Sequence, residues 1–317
     1  MARTEPELAA RALEGLSKYE RAERRDCRPR RESVARIGGA SLRDCGGSGP
    51  PTVLVPSLIN PPDVVDLDAD VSLADAIANM GRRAFLVDWG PASGRAGLDL
   101  ARHVEELLLP LLDALGGPAT LVGYCLGGTM AIAAANIATV DRVATLATPW
   151  RFSAYPEETR ASLLDLWKAA KAPAGELKAL PMEVLQSAFW SLDPKRTVAK
   201  FASFAELEPG SAEAARFVTL EDWANEGEPL PYPAACELME DLFGSDLPGS
   251  GRWHVGGSAV TDRLDCPLLN ITATADRIAP AATAAAGEKV ELRSGHVGMI
   301  VGSARAKLHE ALAGFLG

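Results

Sequence analysis

The chain has 317 residues, 47% of them hydrophobic and 23% charged, and carries a formal net charge of −10. That composition belongs to a globular protein and excludes a disordered chain. The acidic balance excludes a general nucleic-acid binder, whose affinity rests on clustered Lys and Arg.

At this length one large α/β core carrying an insertion is expected. The five cysteines (Cys27, Cys45, Cys125, Cys236 and Cys266) are odd in number, scattered and without metal-ligand spacing. They predict reduced thiols in a cytoplasmic protein, with no metal and no cofactor. No signal peptide and no transmembrane segment is expected, since no stretch is apolar enough.

In chain order, Leu8, Leu13, Leu16 and Tyr19 recur at helical spacing and predict an amphipathic helix from Glu5 to Arg25, ended by Pro29. The basic run Arg21, Arg24, Arg25, Arg28, Arg30, Arg31 and Arg36 is interrupted by Glu23, Asp26 and Glu32. It reads as a solvated, partly ordered arm, with an acidic partner or anionic surface as the alternative. Residues 1–33 thus form an N-terminal helical arm.

Val34 to Leu42 predicts a short strand or hairpin around Gly38-Gly39, and Thr52 to Pro56 a buried parallel strand. Ser72 caps a helix that Gly81 stops, Ala84 to Val87 is the next strand, and Leu98 to Leu115 the next helix. The strand Ala119 to Tyr124, the helix Gly127 to Ala138 and the strand Arg142 to Leu146 follow. From residue 151 to 253 the alternation gives way to a helical stretch that holds or borders Trp150, Trp167, Trp190, Trp223 and Trp253. Those aromatics fit either the core of an inserted cap or the lining of an apolar groove beneath it. The sheet pattern resumes with Pro267 to Thr272, a helix after Pro280, the strand Lys289 to Leu292 and a last helix from Ser303 to Phe315. The fold class is therefore α/β, a mostly parallel sheet with helices on both faces; its core takes residues 34–150 and 254–317, and the cap 151–253.

The chemistry centres on Gly123-Tyr124-Cys125-Leu126-Gly127-Gly128-Thr129, a strand, a sharp turn and a helix. Glycine two before and two after Cys125 is what a nucleophile elbow needs, because the turn crowds those positions. Functional groups of open α/β sheets gather at the carboxyl ends of strands. Cys125, Asp276 and His296 each follow a strand there, in the chain order nucleophile, acid, histidine. His254 is the competing base, Asp88 ends an earlier strand, and Asp265 falls at the opposite edge. His103 and His309 lie within helices. In the expected chemistry His296 takes the Cys125 proton, Asp276 orients the imidazole, and the backbone N–H groups of Leu126 and Ile59 hold the oxyanion. Asn60, Tyr124 and Trp150 are the candidate substrate contacts.

These residues resemble the poly(3-hydroxyalkanoate) synthases, whose box is Gly-x-Cys-x-Gly-Gly. Similar stretches are Pro56-Ser57-Leu58-Ile59-Asn60-Pro61 on to Asp66-Leu67, Phe85-Leu86-Val87-Asp88-Trp89-Gly90, Ala275-Asp276-Arg277-Ile278-Ala279-Pro280, Gly295-His296-Val297-Gly298 and, in the cap, Leu220-Glu221-Asp222-Trp223. The resemblance implies an α/β-hydrolase fold and an acyltransferase acting on 3-hydroxyacyl-CoA, with the growing chain on the cysteine and histidine as general base. It also implies a homodimer or partner subunit and a polymer granule surface. A cysteine hydrolase of polyester, ester or thioester is the alternative, since intracellular polyhydroxyalkanoate depolymerases and some thioesterases also use a cysteine elbow.

Overall fold

The computed structural model describes residues 5–24 and 28–317, the side chain of Pro194 left aside. Helix α1 (Glu5–Glu20) precedes a sheet built from the apolar runs read above. Its eight strands are β1 (Ser33–Ile37), β2 (Ala40–Gly46), β3 (Pro51–Val55), β4 (Arg83–Asp88), β5 (Thr120–Tyr124), β6 (Arg142–Leu146), β7 (Leu268–Ala273) and β8 (Glu288–Leu292). In space they run β1-β2-β4-β3-β5-β6-β7-β8. The hairpin around Gly38-Gly39 joins β1 and β2, and β2 runs antiparallel to β4; all other neighbours are parallel.

Parallel neighbours need crossovers, and helices on both faces supply them. These are α2 (Leu73–Asn79), α3 (residues 100–113) and α4 (Leu126–Ala135). Alternation along the strands divides the core. Val53, Val55, Phe85 and Leu121 pack toward α3 and α4, while Leu54, Leu86 and Val122 pack toward α2 and the C-terminal helix. Both faces of the middle of the sheet are covered, so β3, β5, β6 and β7 are buried at nearly every position, while the edge strands β1 and β8 are not. Ser72 caps α2 as expected, its Oγ accepting from the N–H of Asp75 at 2.9 Å.

Beyond β6 the chain leaves the sheet for α5 (Glu157–Leu177), α6 (Met182–Leu192), α7 (Pro194–Ala205) and α8 (Ala212–Asn225), then a helical segment over residues 232–244. It returns through β7 and β8 and ends in α9 (Arg305–Leu316). The helix expected after Pro280 is a single 3-10 turn, Ala281–Thr283. Only the residues from 281 to 287 separate Pro280 from β8, and the N–H groups of Trp150 and Arg151 both donate to the carbonyl of Thr283. Those two hydrogen bonds occupy the Thr283 carbonyl, which a longer helix would need for its own next turn.

The N-terminal segment is not a free arm. Helix α1 crosses α7 so closely that a Cβ on Gly15 would lie 1.9 Å from the carbonyl oxygen of Phe201. Lys18 donates to the last carbonyls of α7, those of Phe204 at 3.2 Å and Ala205 at 3.4 Å, and to that of Leu207. A cation at a helix C-terminus is favoured by both hydrogen bonding and the helix dipole. Tyr19 donates to Asp222 of α8 at 2.6 Å and Arg24 pairs with the same carboxylate at 3.0 Å. So α1 braces the cap from outside.

The reading of the basic run as solvated holds for Arg21, Arg30 and Arg36, which are exposed, and is corrected for Arg28 and Arg31. Arg28 and Arg31 reach Asp66 at 2.7 and 2.8 Å, and Asp75 at 2.8 and 2.5 Å. Asp66 is buried, so these two arginines find their acidic partners within the chain. Arg25, Asp26 and Cys27 lie outside the described residues. Among the described residues no helix is long and apolar enough to cross a membrane.

Candidate active site

Cys125 stands between β5 and α4 with φ 54° and ψ −129°. A non-glycine residue in that region is strained, and such strain gathers at functional turns. The surroundings hold it there. The Cys125 N–H donates to the carbonyl of Leu146 at 2.9 Å, and the turn folds Gly123 and Gly127 against their neighbours. A Cβ on Gly123 would fall 2.3 Å from the Cα of Gly128, and one on Gly127 would fall 2.1 Å from the carbonyl oxygen of Val55.

Asp276 follows β7 and His296 follows β8, and the two meet. The Nδ1 of His296 donates to Oδ2 of Asp276 at 2.7 Å. The other carboxylate oxygen accepts from the N–H groups of Ile278 at 2.8 Å and Ala279 at 2.9 Å, which fixes the carboxylate. With Nδ1 taken, Nε2 is the nitrogen left for Cys125, whose sulfur shares the cavity wall with the ring. The ring of Tyr124 packs on the imidazole with centroids 5.1 Å apart.

Burial alone lowers the pKa of His296, but the Asp276 carboxylate and the Cys125 sulfur outweigh it and push it up to about 10. The ordinary value is 6.5, so the stabilisation from charged His296 is fully present below about pH 6.5 and is lost as pH rises through about 10. In urea denaturation, the stability margin of the wild type over His296→Gln should therefore narrow steadily between pH 7 and 10. A margin constant across that window would refute the pairing.

Cys125, His296, Tyr124, Ile59 and Asn60 line one cavity of about 300 Å³ between the strand ends and helices α6, α7 and α8. Leu126 is buried in the first turn of α4, where backbone N–H groups have no acceptor within the helix. The N–H of Ile59 donates to Ser57 Oγ at 3.2 Å. Asn60 spends its amide on the cap, donating to the carbonyls of Ala224 and Glu226, both at 3.3 Å.

Trp150, expected as a substrate contact, does not line the cavity. It is buried in the core with its ring 6.1 Å from that of Trp253, because the chain turns inward where its N–H bonds to Thr283. The cap aromatics divide. Trp150, Trp167 and Trp253 are core, whereas Trp190 and Trp223 face the cavity.

The rival residues lie elsewhere. Asp88 pairs with Arg43, and Asp265 is exposed before β7. His254 is exposed and donates to the carbonyl of Arg252. His103 is fully buried, donating to the carbonyl of Asp99 at 2.6 Å, and burial pushes its pKa down to about 4.

Sequence reasoning missed the charged cap residues of the cavity wall: Arg196 and Lys200 on α7, with Glu221 on α8 holding Lys200 at 2.6 Å, and Arg277 beside the acid. The Leu220-Glu221-Asp222-Trp223 segment was a signal for them. Its members bind Lys200, brace α1 and, through Trp223 Nε1, reach the carbonyl of Pro61 at 2.9 Å. Among the described residues no group of three or more His, Cys, Asp or Glu is placed to hold a metal ion.

No family model matches the chain. It is 24% identical over 277 residues to the poly(3-hydroxyalkanoate) polymerase subunit PhaC of Haloferax mediterranei, covering 80% of this chain and 55% of that one. It is likewise 24% identical over 289 residues to the protein of the same name from Thiocystis violacea, covering 84% of this chain and 80% of that one. The chain thus spans little more than half the length of the first of these relatives. Among solved structures it resembles epoxide hydrolase A from Mycobacterium thermoresistibile, with a TM-score of 0.54, 20% identity and coverage of 91% and 98%. The meta-cleavage product hydrolase CumD from Pseudomonas fluorescens gives a TM-score of 0.51 at 17% identity, covering 90% and 97%. These likenesses establish the α/β-hydrolase fold, and the sequence likeness to the polymerase subunits extends over 80% and 84% of the chain.

Proposed function

We propose that this chain, a relative of the poly(3-hydroxyalkanoate) polymerase subunits, is an acyltransferase that takes 3-hydroxyacyl-CoA thioesters through an acyl-Cys125 intermediate. The observation that carries the reading is a thiol at the strained turn with a histidine–aspartate pair behind it. His296, charged at neutral pH, already holds at Nε2 the proton taken from Cys125, and the sulfur attacks the thioester carbonyl. The oxyanion takes hydrogen bonds from the N–H of Leu126 and from that of Ile59, released from its long bond to Ser57. Collapse breaks the bond to CoA, whose sulfur leaves with the proton from His296. In the second half the hydroxyl of an incoming 3-hydroxyacyl unit gives its proton to His296 and attacks the acyl carbon. An ester C–O bond forms, the C–S bond breaks, and the sulfur is released beside His296, which keeps the hydroxyl's proton. Sulfur replaces sulfur in the first half, so that step is close to isoenergetic, which suits a thiol nucleophile. Asp276 keeps the imidazole oriented and supports its charge in both halves.

A second copy or a partner subunit, and the surface of a polymer granule, are the assembly partners this reading calls for. Incubation with 3-hydroxybutyryl-CoA tests the chemistry. CoA release with insoluble polymer is the expected result, whereas CoA release with free acid selects a thioesterase. No CoA release, with loss of mass from added polymer, selects a depolymerase.

A further inference from the structure

Residues 56–61 carry the chain from β3 to the 3-10 turn Pro62–Val65 and belong to no helix or strand. A loop outside the sheet ladder keeps its shape only where other elements hold it. Its first half is held by the core. Trp89 Nε1 donates to the carbonyl of Pro56 at 3.0 Å, and a Cβ on Gly127 of the elbow would fall 2.4 Å from the same carbonyl oxygen.

Its second half is held by the cap. Residues 59, 60 and 61 each meet α8 or the segment just after it. Trp223 Nε1 donates to the carbonyl of Pro61 at 2.9 Å, and Asn60 donates to the carbonyls of Ala224 and Glu226, both at 3.3 Å. A Cβ on Gly227 would fall 2.7 Å from the carbonyl oxygen of Ile59, so the chain beyond α8 lies directly against that peptide. The anchor is itself fixed. Glu221 holds Lys200 of α7 at 2.6 Å, Asp222 accepts from Tyr19 of α1 at 2.6 Å, and the carbonyl of Ala224 accepts from Gln186 of α6 at 3.1 Å. Residues 221–224 thus tie three helices and one core loop together.

What this loop offers to the reaction is the N–H of Ile59. Its acceptor, Ser57 Oγ at 3.2 Å, lies at the long limit of an N–H···O bond, so exchange for a charged oxygen in the cavity is favourable. The three cap contacts are made to carbonyls and to the Asn60 side chain, and they leave that N–H to Ser57. How much the donor contributes depends on where it stands, since a displacement near 1 Å costs about 10²-fold in rate. We propose that Trp223 and Asn60 are positioning residues for the oxyanion, holding the second half of the loop so that the Ile59 N–H stands where the tetrahedral intermediate on Cys125 needs it. The inference rests on acyl chemistry at Cys125, whichever acceptor then takes the acyl group.

The test pairs two reactions of one thiol. When p-nitrophenyl acetate acetylates Cys125, the sulfur attacks a carbonyl, a tetrahedral oxyanion forms, and p-nitrophenolate leaves. Iodoacetamide instead alkylates the same sulfur by displacing iodide from a saturated carbon, with no oxyanion. Both rates are read on the Cys125 peptide by mass spectrometry after reaction of the full-length protein. Trp223→Phe keeps an aromatic ring and loses the donor, and Asn60→Ala removes the other two hydrogen bonds. Each should slow acetylation about tenfold and the double variant about 10²-fold, the cost of losing one oxyanion donor. The alkylation rate and its pH profile should stay at the wild-type values. Unchanged acetylation in the double variant overturns the inference, and so do equal falls in both rates, which report a disordered site rather than a misplaced N–H. Wild-type protein that is alkylated at Cys125 but acylated there by neither the ester nor 3-hydroxybutyryl-CoA overturns the acyl chemistry itself, and the inference with it.

Discussion

Cys125→Ala should lower CoA release from 3-hydroxybutyryl-CoA by about 10⁴-fold or more, the scale on which removing a nucleophile acts in enzymes that work through a covalent intermediate. No acyl adduct should then be visible by intact-protein mass spectrometry after rapid mixing with substrate. The substitution is a clean one for a structural reason. Cysteine and alanine both carry a Cβ, so the strain at φ 54° is the same in each, and Ala147 already sits at φ 46° in this chain. The protein should therefore fold, and loss of activity reports chemistry. His296→Ala should cost nearly as much. The double variant should cost little more than either alone, because thiol and imidazole act as one unit in handling a single proton. Costs that simply add would mean that the two residues serve separate steps. Labelling of the Cys125→Ala protein by substrate would remove Cys125 from the mechanism.

The parts of this site that the sequence discloses are those governed by local rules. A turn that demands small residues on either side of its apex leaves glycines in fixed places, and a buried parallel strand leaves an apolar run that ends where its loop begins. Cys125, Asp276 and His296 were found by those marks, and the hydrogen bond of 2.7 Å between the last two lies where the strand ends converge. What the sequence hid depends on contacts between distant segments. Whether Trp150 faces substrate or core is set by Thr283 and Trp253, more than a hundred residues away. Arg28 and Arg31 looked solvated because their carboxylate partners lie in a distant segment, Asp66 in the loop before α2 and Asp75 in the first turn of that helix. Likewise nothing in the composition of α7 says that Arg196 and Lys200 turn inward, since the amphipathic face of a cap helix is defined only by what it covers.

Gly127→Ala should cost about 3 kcal/mol or more of stability, at the upper end of what overpacking does, because the atoms it meets cannot yield cheaply. The new Cβ would stand 2.1 Å from the carbonyl oxygen of Val55, 2.4 Å from that of Pro56 and 2.6 Å from the carbonyl carbon of Pro56. All three are backbone atoms at the end of β3, where the chain runs into the loop of Ser57 and Ile59, so relief of the clash has to push that loop away from the elbow. A displacement near 1 Å at a catalytic site costs about 10²-fold in rate. Activity should therefore fall by at least that factor in whatever fraction of the protein still folds. Gly314→Ala is the matched control: it lies in α9 with no atom within 4 Å of the place its methyl group would take, and alanine there should add about 0.5–1 kcal/mol by helix propensity alone. Urea midpoints for the two variants should move in opposite directions. Were Gly127→Ala to keep both its midpoint and its rate, β3 and α4 would not approach as closely as the elbow requires, and the N–H of Ile59 would lie too far from Cys125 to share an oxyanion with Leu126.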